Sequence, residues 1–144
     1  MTTIEPETDD EVAAARRALR ILIADDHPGT QRAVQLLLRW IGCDSRTVSD
    51  GLEAVREVRE RKFDLILMDV MMPVMDGLEA TRRIRAERGL ASGLRIVAMS
   101  GDATGENRET CLAAGMDAFL AKPFSADDLV RILDETVSSI TVGC

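Results

Sequence analysis

The sequence predicts an α/β fold in which helices cover both faces of a parallel sheet, and three observations carry that prediction. Four short apolar runs, Ile21–Ala24, Asp64–Met68, Leu94–Met99 and Asp117–Ala121, are rich in Ile, Leu, Val and Met. Segments of helical period separate them. Strands buried on both faces read as continuous apolar runs of this kind. Each run also ends on a polar residue: Asp25–Asp26, Asp69, Ser100 and Lys122. In such sheets ligands sit outside the carboxyl ends of the strands. Three carboxylates, a hydroxyl and a lysine are thereby expected on one edge, which suits a divalent metal and a phosphoryl group.

In chain order, residues 1–19 read as a flexible acidic leader, within which Val12–Leu19 (VAAARRAL) has the composition of a short helix or a frayed terminus. The first strand is Ile21–Ala24. A helix over Pro28–Ile41 follows, with Val34, Leu37, Leu38 and Ile41 at i, i+3, i+4, i+7, and Gly42 stops it. A weaker strand lies around Asp44–Val48. The next helix starts near Gly51, turns Leu52, Val55 and Val58 inward and fades at Arg61–Lys62. Asp64–Met68 (DLILM) is continuous and apolar, as a central strand should be. A helix from Gly77 to about Arg88 carries Leu78, Thr81 and Ile84 on one face, and Gly89 and Gly93 bracket a loop before Leu94–Met99. The helix over Thr104–Ala114 is the least apolar and ends at Gly115. Asp117–Ala121 is the last strand. Ser125 is a suitable N-cap for the last helix, with Asp127 and Asp128 in its first turn. That helix turns Leu129, Ile132, Leu133, Val137 and Ile140 inward. The domain therefore runs over 20–140 with a 141–144 tail, and no linker, second domain or output module is visible.

Composition bounds the function. The 144 residues suffice for one domain with a real core. A net charge of −7 with few aromatics makes a poor nucleic-acid binder. No apolar run approaches the roughly 20 residues that span a bilayer, and the acidic N-terminus lacks the apolar stretch of a secretory signal. Cys43, Cys111 and Cys144 show neither zinc-ligand spacing nor a disulfide framework. They read as core thiols of a cytoplasmic protein. The basic residues are nearly all Arg, with only Lys62 and Lys122 as lysines. A compact, mobile ammonium is thus placed between an apolar strand and Pro123, where an X–Pro bond is a candidate cis peptide that would aim it.

The acidic edge needs a counter-ion. Alternation sends Asp25 and Asp26 to opposite sides of their strand, but where the strand unwinds both can reach a site above the sheet. Strands one and three are neighbours across the switch point, which brings Asp69 to the pair. At about 5 Å and an effective dielectric near 20, each carboxylate pair costs roughly 3 kcal/mol. A hard divalent cation offsets this, and oxygen ligands with open water positions suit Mg²⁺. Pro73 and Gly77 fix a tight loop after Asp69, from which the Met71 carbonyl can complete a metal sphere. Met68, Met99 and Met116 read as core, while Met71 overlooks the site. Ser100, followed by Gly101–Asp102, places a hydroxyl for a phosphoryl oxygen. His27 reads as the residue that opens the helix at Pro28 rather than as a metal ligand.

The stretches ILIADDHP, LILMDVMMPVMDGLEATRRIR, IVAMSGD and FLAKPF resemble the receiver domain of two-component response regulators, over about residues 19–140. The resemblance implies a flavodoxin-like (CheY-like) three-layer sandwich, its five-stranded parallel sheet ordered 2-1-3-4-5. It implies Asp69 as phosphoacceptor, Asp26 as a direct Mg²⁺ ligand, Asp25 acting partly through water and Met71 through its carbonyl. It further implies Ser100 as the switch hydroxyl, Lys122 as the phosphate-pairing lysine and Phe119 as the switch aromatic, with Met71 and Asp102 tuning dephosphorylation. The implied donor is a histidine kinase or histidine phosphotransferase. The surface built from the helix over Thr104–Ala114, the last strand and the last helix would rearrange, in a monomer or a phosphorylation-dependent dimer, with no enzymatic activity beyond self-phosphorylation and self-dephosphorylation at Asp69. MDGLEATRRIR is also similar to receivers attached to hybrid sensor kinases, and a phosphate sink or shuttle without direct output is an alternative. Two other chemistries fit less well. An aspartyl phosphatase commonly needs a second Asp where Met71 stands, and a flavin carrier needs a hydroxyl- and glycine-rich loop where ADDHPG places acid.

Overall fold

The computed structural model describes residues 8–87, 89 and 93–142, with the side chains of 141 and 142 excepted. Its elements are α1 (Asp9–Arg17), β1 (Ile21–Ala24), α2 (Pro28–Ile41), β2 (Ser45–Val48), α3 (Gly51–Glu60), β3 (Leu65–Asp69), α4 (Gly77–Ala86), β4 (Arg95–Ser100), α5 (Gly105–Ala114), β5 (Ala118–Ala121) and α6 (Ala126–Val142). The five strands form one parallel sheet in the order β2-β1-β3-β4-β5.

Alternation along the strands builds two cores. Leu22, Ala24, Ile66, Met68, Ile96 and Ala98 face α3, α4 and α5, where Ala54, Val55, Val58, Ala80, Ile84 and Cys111 cover them. Ile21, Ile23, Leu65, Leu67, Val97, Met99 and Leu120 face the other way, under Val34 and Leu38 of α2 and Leu129, Ile132, Leu133 and Val137 of α6. Each fully buried Leu or Ile contributes about 1.5–3 kcal/mol. The central strand β3 is buried along its whole length, as the apolar LILM run requires, while Asp64, expected as its first residue, stays outside it and accepts from the Arg20 N–H at 2.8 Å.

Local chemistry sets the element ends. Pro28 occupies the first turn of α2, where its missing N–H costs nothing. Gly42 closes that helix at φ 109°, a conformation in which a side chain would be strained. Thr104 is the N-cap of α5, its hydroxyl accepting from the Asn107 N–H at 3.2 Å. Ser125 and Asp128 cap α6 reciprocally: the Asp128 N–H donates to Ser125 Oγ at 3.2 Å, and the Ser125 N–H donates to Asp128 Oδ2 at 2.9 Å. The bonded carboxylate of Asp128 is correspondingly held below its ordinary pKa.

Several boundaries differ from the sequence expectation. β5 starts at Ala118 because Asp117 is otherwise engaged: its Oδ2 accepts from the Ile96 N–H at 2.8 Å and from Arg85 Nη2 at 2.6 Å. α4 ends at Ala86, with Glu87 extended as its C-cap, and Arg88 lies outside the described residues. Ile140, expected inward, is 45% exposed. It lies one turn beyond Val137, in a groove shared with Ala15, Ala18 and Leu19. Within the stretch read as leader, residues 1–7 lie outside the described residues, while α1 begins at Asp9 under a Thr8 cap. α1 packs on α6, where Arg16 Nε donates to Asp134 Oδ1 at 2.7 Å. Cys43 and Cys111 are buried free thiols, their pKa values pushed up by burial, and Cys144 lies outside the described residues. Among the described residues no helix is long and apolar enough to cross a membrane.

Candidate functional site

The carboxyl edge of the sheet gathers the predicted acidic residues. Asp25 follows β1 in ladder register, its N–H donating to the Val48 carbonyl at 3.1 Å, and it is fully buried. Asp69 ends β3 opposite Met99 and is 5% exposed. Carboxylate oxygens of Asp25, Asp26 and Asp69 and a ring nitrogen of His27 all lie within 4.8 Å of one another.

Each buried charge has a named partner. Lys122 Nζ donates to Asp25 Oδ2 at 3.0 Å and lies 3.5 Å from Asp69 Oδ2. The bond from Lys122 to Pro123 is cis. Asp25 Oδ1 accepts from the His27 N–H at 2.9 Å, and Asp69 Oδ1 accepts from the Met71 N–H at 3.2 Å. Burial pushes the Asp69 carboxyl above its ordinary pKa; Lys122 and the Met71 N–H oppose that rise, and the Asp25 charge adds to it. One ammonium for three carboxylates leaves the cluster under-compensated.

Asp26 offers an oxygen that no donor among the described residues occupies. Its Oδ1 is buried and accepts no hydrogen bond. The Nδ1 of His27 is 3.2 Å away but not aligned as a donor. A buried carboxylate oxygen without a partner is costly. Hard oxygen donors of this kind suit Mg²⁺, so the residues fit the ion. His27 plays the part expected of it, as N-cap residue of α2, with its side chain 72% exposed. Its ring also reaches the acidic group, which the sequence reading set aside.

The loop over β3 is held by close backbone approach. A Cβ at Gly77 would run into the Asp69 carbonyl, so only glycine lets α4 start there. Met75 N–H donates to the Pro73 carbonyl at 2.7 Å across Val74, whose φ is 67°. Val74 and Met71 stand exposed beside the pocket, Met71 at 75%. Met68, Met99 and Met116 are buried, as expected.

Ser100 and Phe119 are placed differently. Ser100 ends β4 and Phe119 pairs with Ala98, so by alternation both continue the face covered by α5. Asp102 directs Oδ1 to the Thr104 N–H at 3.1 Å. Gln31 was not anticipated: its Nε2 donates to the Asp25 carbonyl at 2.5 Å and the Val48 carbonyl at 3.0 Å, pinning the acidic turn to α2. An amide one turn into a helix carries no local signal of that role, because both acceptors lie outside the helix.

The sequence and the fold are similar to those of known proteins. The family described as response regulator receiver domain matches residues 21–134. The chain is 42% identical over 120 residues to Sensor protein GacS of Pseudomonas syringae pv. syringae, covering 81% of this chain and 13% of that protein. It is 36% identical over 126 residues to Sensor histidine kinase RcsC of Salmonella typhi, covering 88% of this chain and again 13% of the relative. The chain thus spans about an eighth of the length of those curated relatives. Among solved structures, the receiver domain of the Pseudomonas aeruginosa PAO1 sensor histidine kinase PA1611 superposes with a TM-score of 0.78 at 40% identity, covering 84% of this chain and 98% of that one. That crystal structure holds a magnesium ion in its active site cleft.

Proposed function

We propose that this chain, which belongs to the response regulator receiver domain family, takes a phosphoryl group from a phosphohistidine onto Asp69 in a two-component phosphorelay. The supporting observation is the pairing of a buried Asp69 with Lys122, 3.5 Å away, beside an Asp26 oxygen that has no hydrogen bond. Bound Mg²⁺ would supply positive charge for the carboxylates and the incoming phosphoryl oxygens. Asp25, Asp26, Asp69 and the Met71 carbonyl would hold it. An Asp69 oxygen forms the new bond to phosphorus while the phosphorus–nitrogen bond of the donor breaks, its electron pair leaving with the imidazole. Lys122 is placed to pair with a phosphoryl oxygen. The chain's contribution is positioning and charge compensation, as phosphoryl transfer requires.

Ser100 and Phe119 would then move, changing the face made by α5, β5 and α6. Met71 and Asp102 would set the lifetime of the phosphorylated state. A second reading, the receiver part of a hybrid histidine kinase, is supported by the sensor proteins to which the chain is similar. The test is labelling with radioactive acetyl phosphate or a labelled phosphohistidine donor in Mg²⁺. The parent should acquire an acid-labile phosphoryl group and Asp69→Asn none. Equal labelling of both would remove Asp69 from the acceptor role.

A further inference from the structure

Ser100 Oγ accepts two hydrogen bonds. One comes from the Asp102 N–H at 3.1 Å and the other from Asn107 Nδ2 at 3.2 Å. A hydroxyl oxygen has two lone pairs, so both acceptor positions are filled from the α5 side. Asn107 Nδ2 also donates to the Asp102 carbonyl at 2.6 Å, closing the loop after β4 against the first turn of α5. The next residue, Arg108, sets its guanidinium carbon 4.9 Å from the centroid of the Phe119 ring, within range of a cation–π attraction. Consecutive residues of one helix therefore hold, one each, Ser100 and Phe119. The helix itself buries only Cys111 and Ala114, so these polar attachments form much of its tie to the sheet edge.

We propose that Asn107 and Arg108 are positioning residues that latch Ser100 and Phe119 to α5 before phosphorylation, and that Ser100, to carry its O–H donor to the phosphoryl group, must pull its anchored oxygen away from the Asn107 amide. This rests on the reading of Ser100 and Phe119 as switch residues. A latch made only in the unphosphorylated state lowers the competent fraction and weakens apparent affinity for a phosphoryl group or its mimic by that fraction. Removing the latch tightens binding, which loss of a merely structural contact would not do.

The test is the dissociation constant of beryllofluoride with Mg²⁺, measured on the full chain. Asn107→Ala should tighten binding about fivefold and Arg108→Gln about threefold, from the usual net worth of one side-chain hydrogen bond and one exposed cation–π contact. Arg108→Lys keeps a cation over the ring and should bind as the parent does. Affinity for Mg²⁺ alone should not change, because no carboxylate is altered. In the Asn107→Ala background, where the latch bond is already gone, Ser100→Ala should weaken beryllofluoride binding. If Ser100→Ala weakens binding there while Asn107→Ala and Arg108→Gln by themselves leave it unchanged or weaker, the latch is wrong and the Ser100 reading stands. If Ser100→Ala added to Asn107→Ala binds as tightly as Asn107→Ala alone, the Ser100 reading fails and takes the latch with it. Should Asn107→Ala fail to fold, Arg108→Gln decides alone, and unchanged affinity there overturns the proposal.

Discussion

The two sides of the sheet's carboxyl edge are built on different principles. Asp25, Asp69 and Lys122 continue the alternation that faces α2 and α6, and the two carboxylates extend strands that are buried throughout. Their partners are backbone N–H groups and one ammonium, in positions fixed by the sheet. Ser100 and Phe119 continue the opposite face. They are held there by Asn107 and Arg108 of a helix that contributes two buried side chains. The first side is rigid and over-charged; the second is weakly fixed and carries no net strain of like charges. On the proposed function, the cation pocket calls for the former and the switching element for the latter.

The largest expected effect probes the over-charged side. Mg²⁺ should bind the folded chain only, adding about 2.7 kcal/mol at one hundred times its dissociation constant. The Tm should rise with Mg²⁺ in the parent and much less in Asp26→Ala, which lacks the carboxylate with the unpartnered oxygen. An unchanged parent melting curve would break the claim that this side is under-compensated.

A second effect follows from the raised Asp69 pKa, whose chief cause is burial. A carboxyl whose folded pKa is raised binds more protons folded than unfolded between the two values. Stability is therefore lost as pH rises through that window and stays lost above it. Without divalent ions, Asp69→Asn should melt above the parent at neutral pH. The difference should vanish on acidification below the ordinary carboxylate pKa, where both states hold the proton. With Mg²⁺ the order should reverse. Thermal melts in chelator, in Mg²⁺ and at acid pH check all three, and a lower Tm for Asp69→Asn in chelator would overturn the burial argument.

Hydrogen exchange sharpens the contrast directly. On adding beryllofluoride and Mg²⁺, protection should change most across Gly101–Gly115 and near Phe119, because α5 is exposed along most of its length and buries only Cys111 and Ala114. Changes confined to α2 and α3 would contradict the assignment of the mobile side.

The rigid side was also the legible one. Asp25, Asp26, Asp69 and Lys122 could be placed because a strand end is marked by an apolar run stopping, and the strand order then brings those ends together. β1 and α2 match the sequence reading to the residue, while β3 and β4 shift by a single position. What could not be read depends on partners distant in sequence. Nothing in DDEVAAARR signals its ion pair with Asp134, more than a hundred residues away. Asp117 left its strand for Arg85, and Gln31 serves carbonyls outside its own helix. Asn107 and Arg108 look like ordinary polar positions of a weak helix until the sheet brings Ser100 and Phe119 beneath them.

The smallest expected effect concerns Met71, which belongs to the rigid side through its backbone and to neither side through its side chain. Its N–H is fixed on Asp69 Oδ1, while the side chain is 75% exposed and apolar. Hydrolysis of phospho-Asp69 needs a water in line with the bond to phosphorus. A thioether cannot orient that water, and its bulk hinders the approach. Asp102 anchors one carboxylate oxygen on the Thr104 N–H, so it acts on that water through its other oxygen and through its negative charge. Met71→Asn puts an amide donor and acceptor at the same backbone position, within the reach of a water that attacks phosphorus. Because the backbone bond to Asp69 survives the substitution, Mg²⁺ affinity and labelling should stay near the parent's. Loss of phosphate from the isolated phosphoprotein in Mg²⁺ should be several times faster. Equal or slower loss would show that the path of the water is set elsewhere, and would move the control of lifetime from the Asp69 loop to the Ser100 side of the edge.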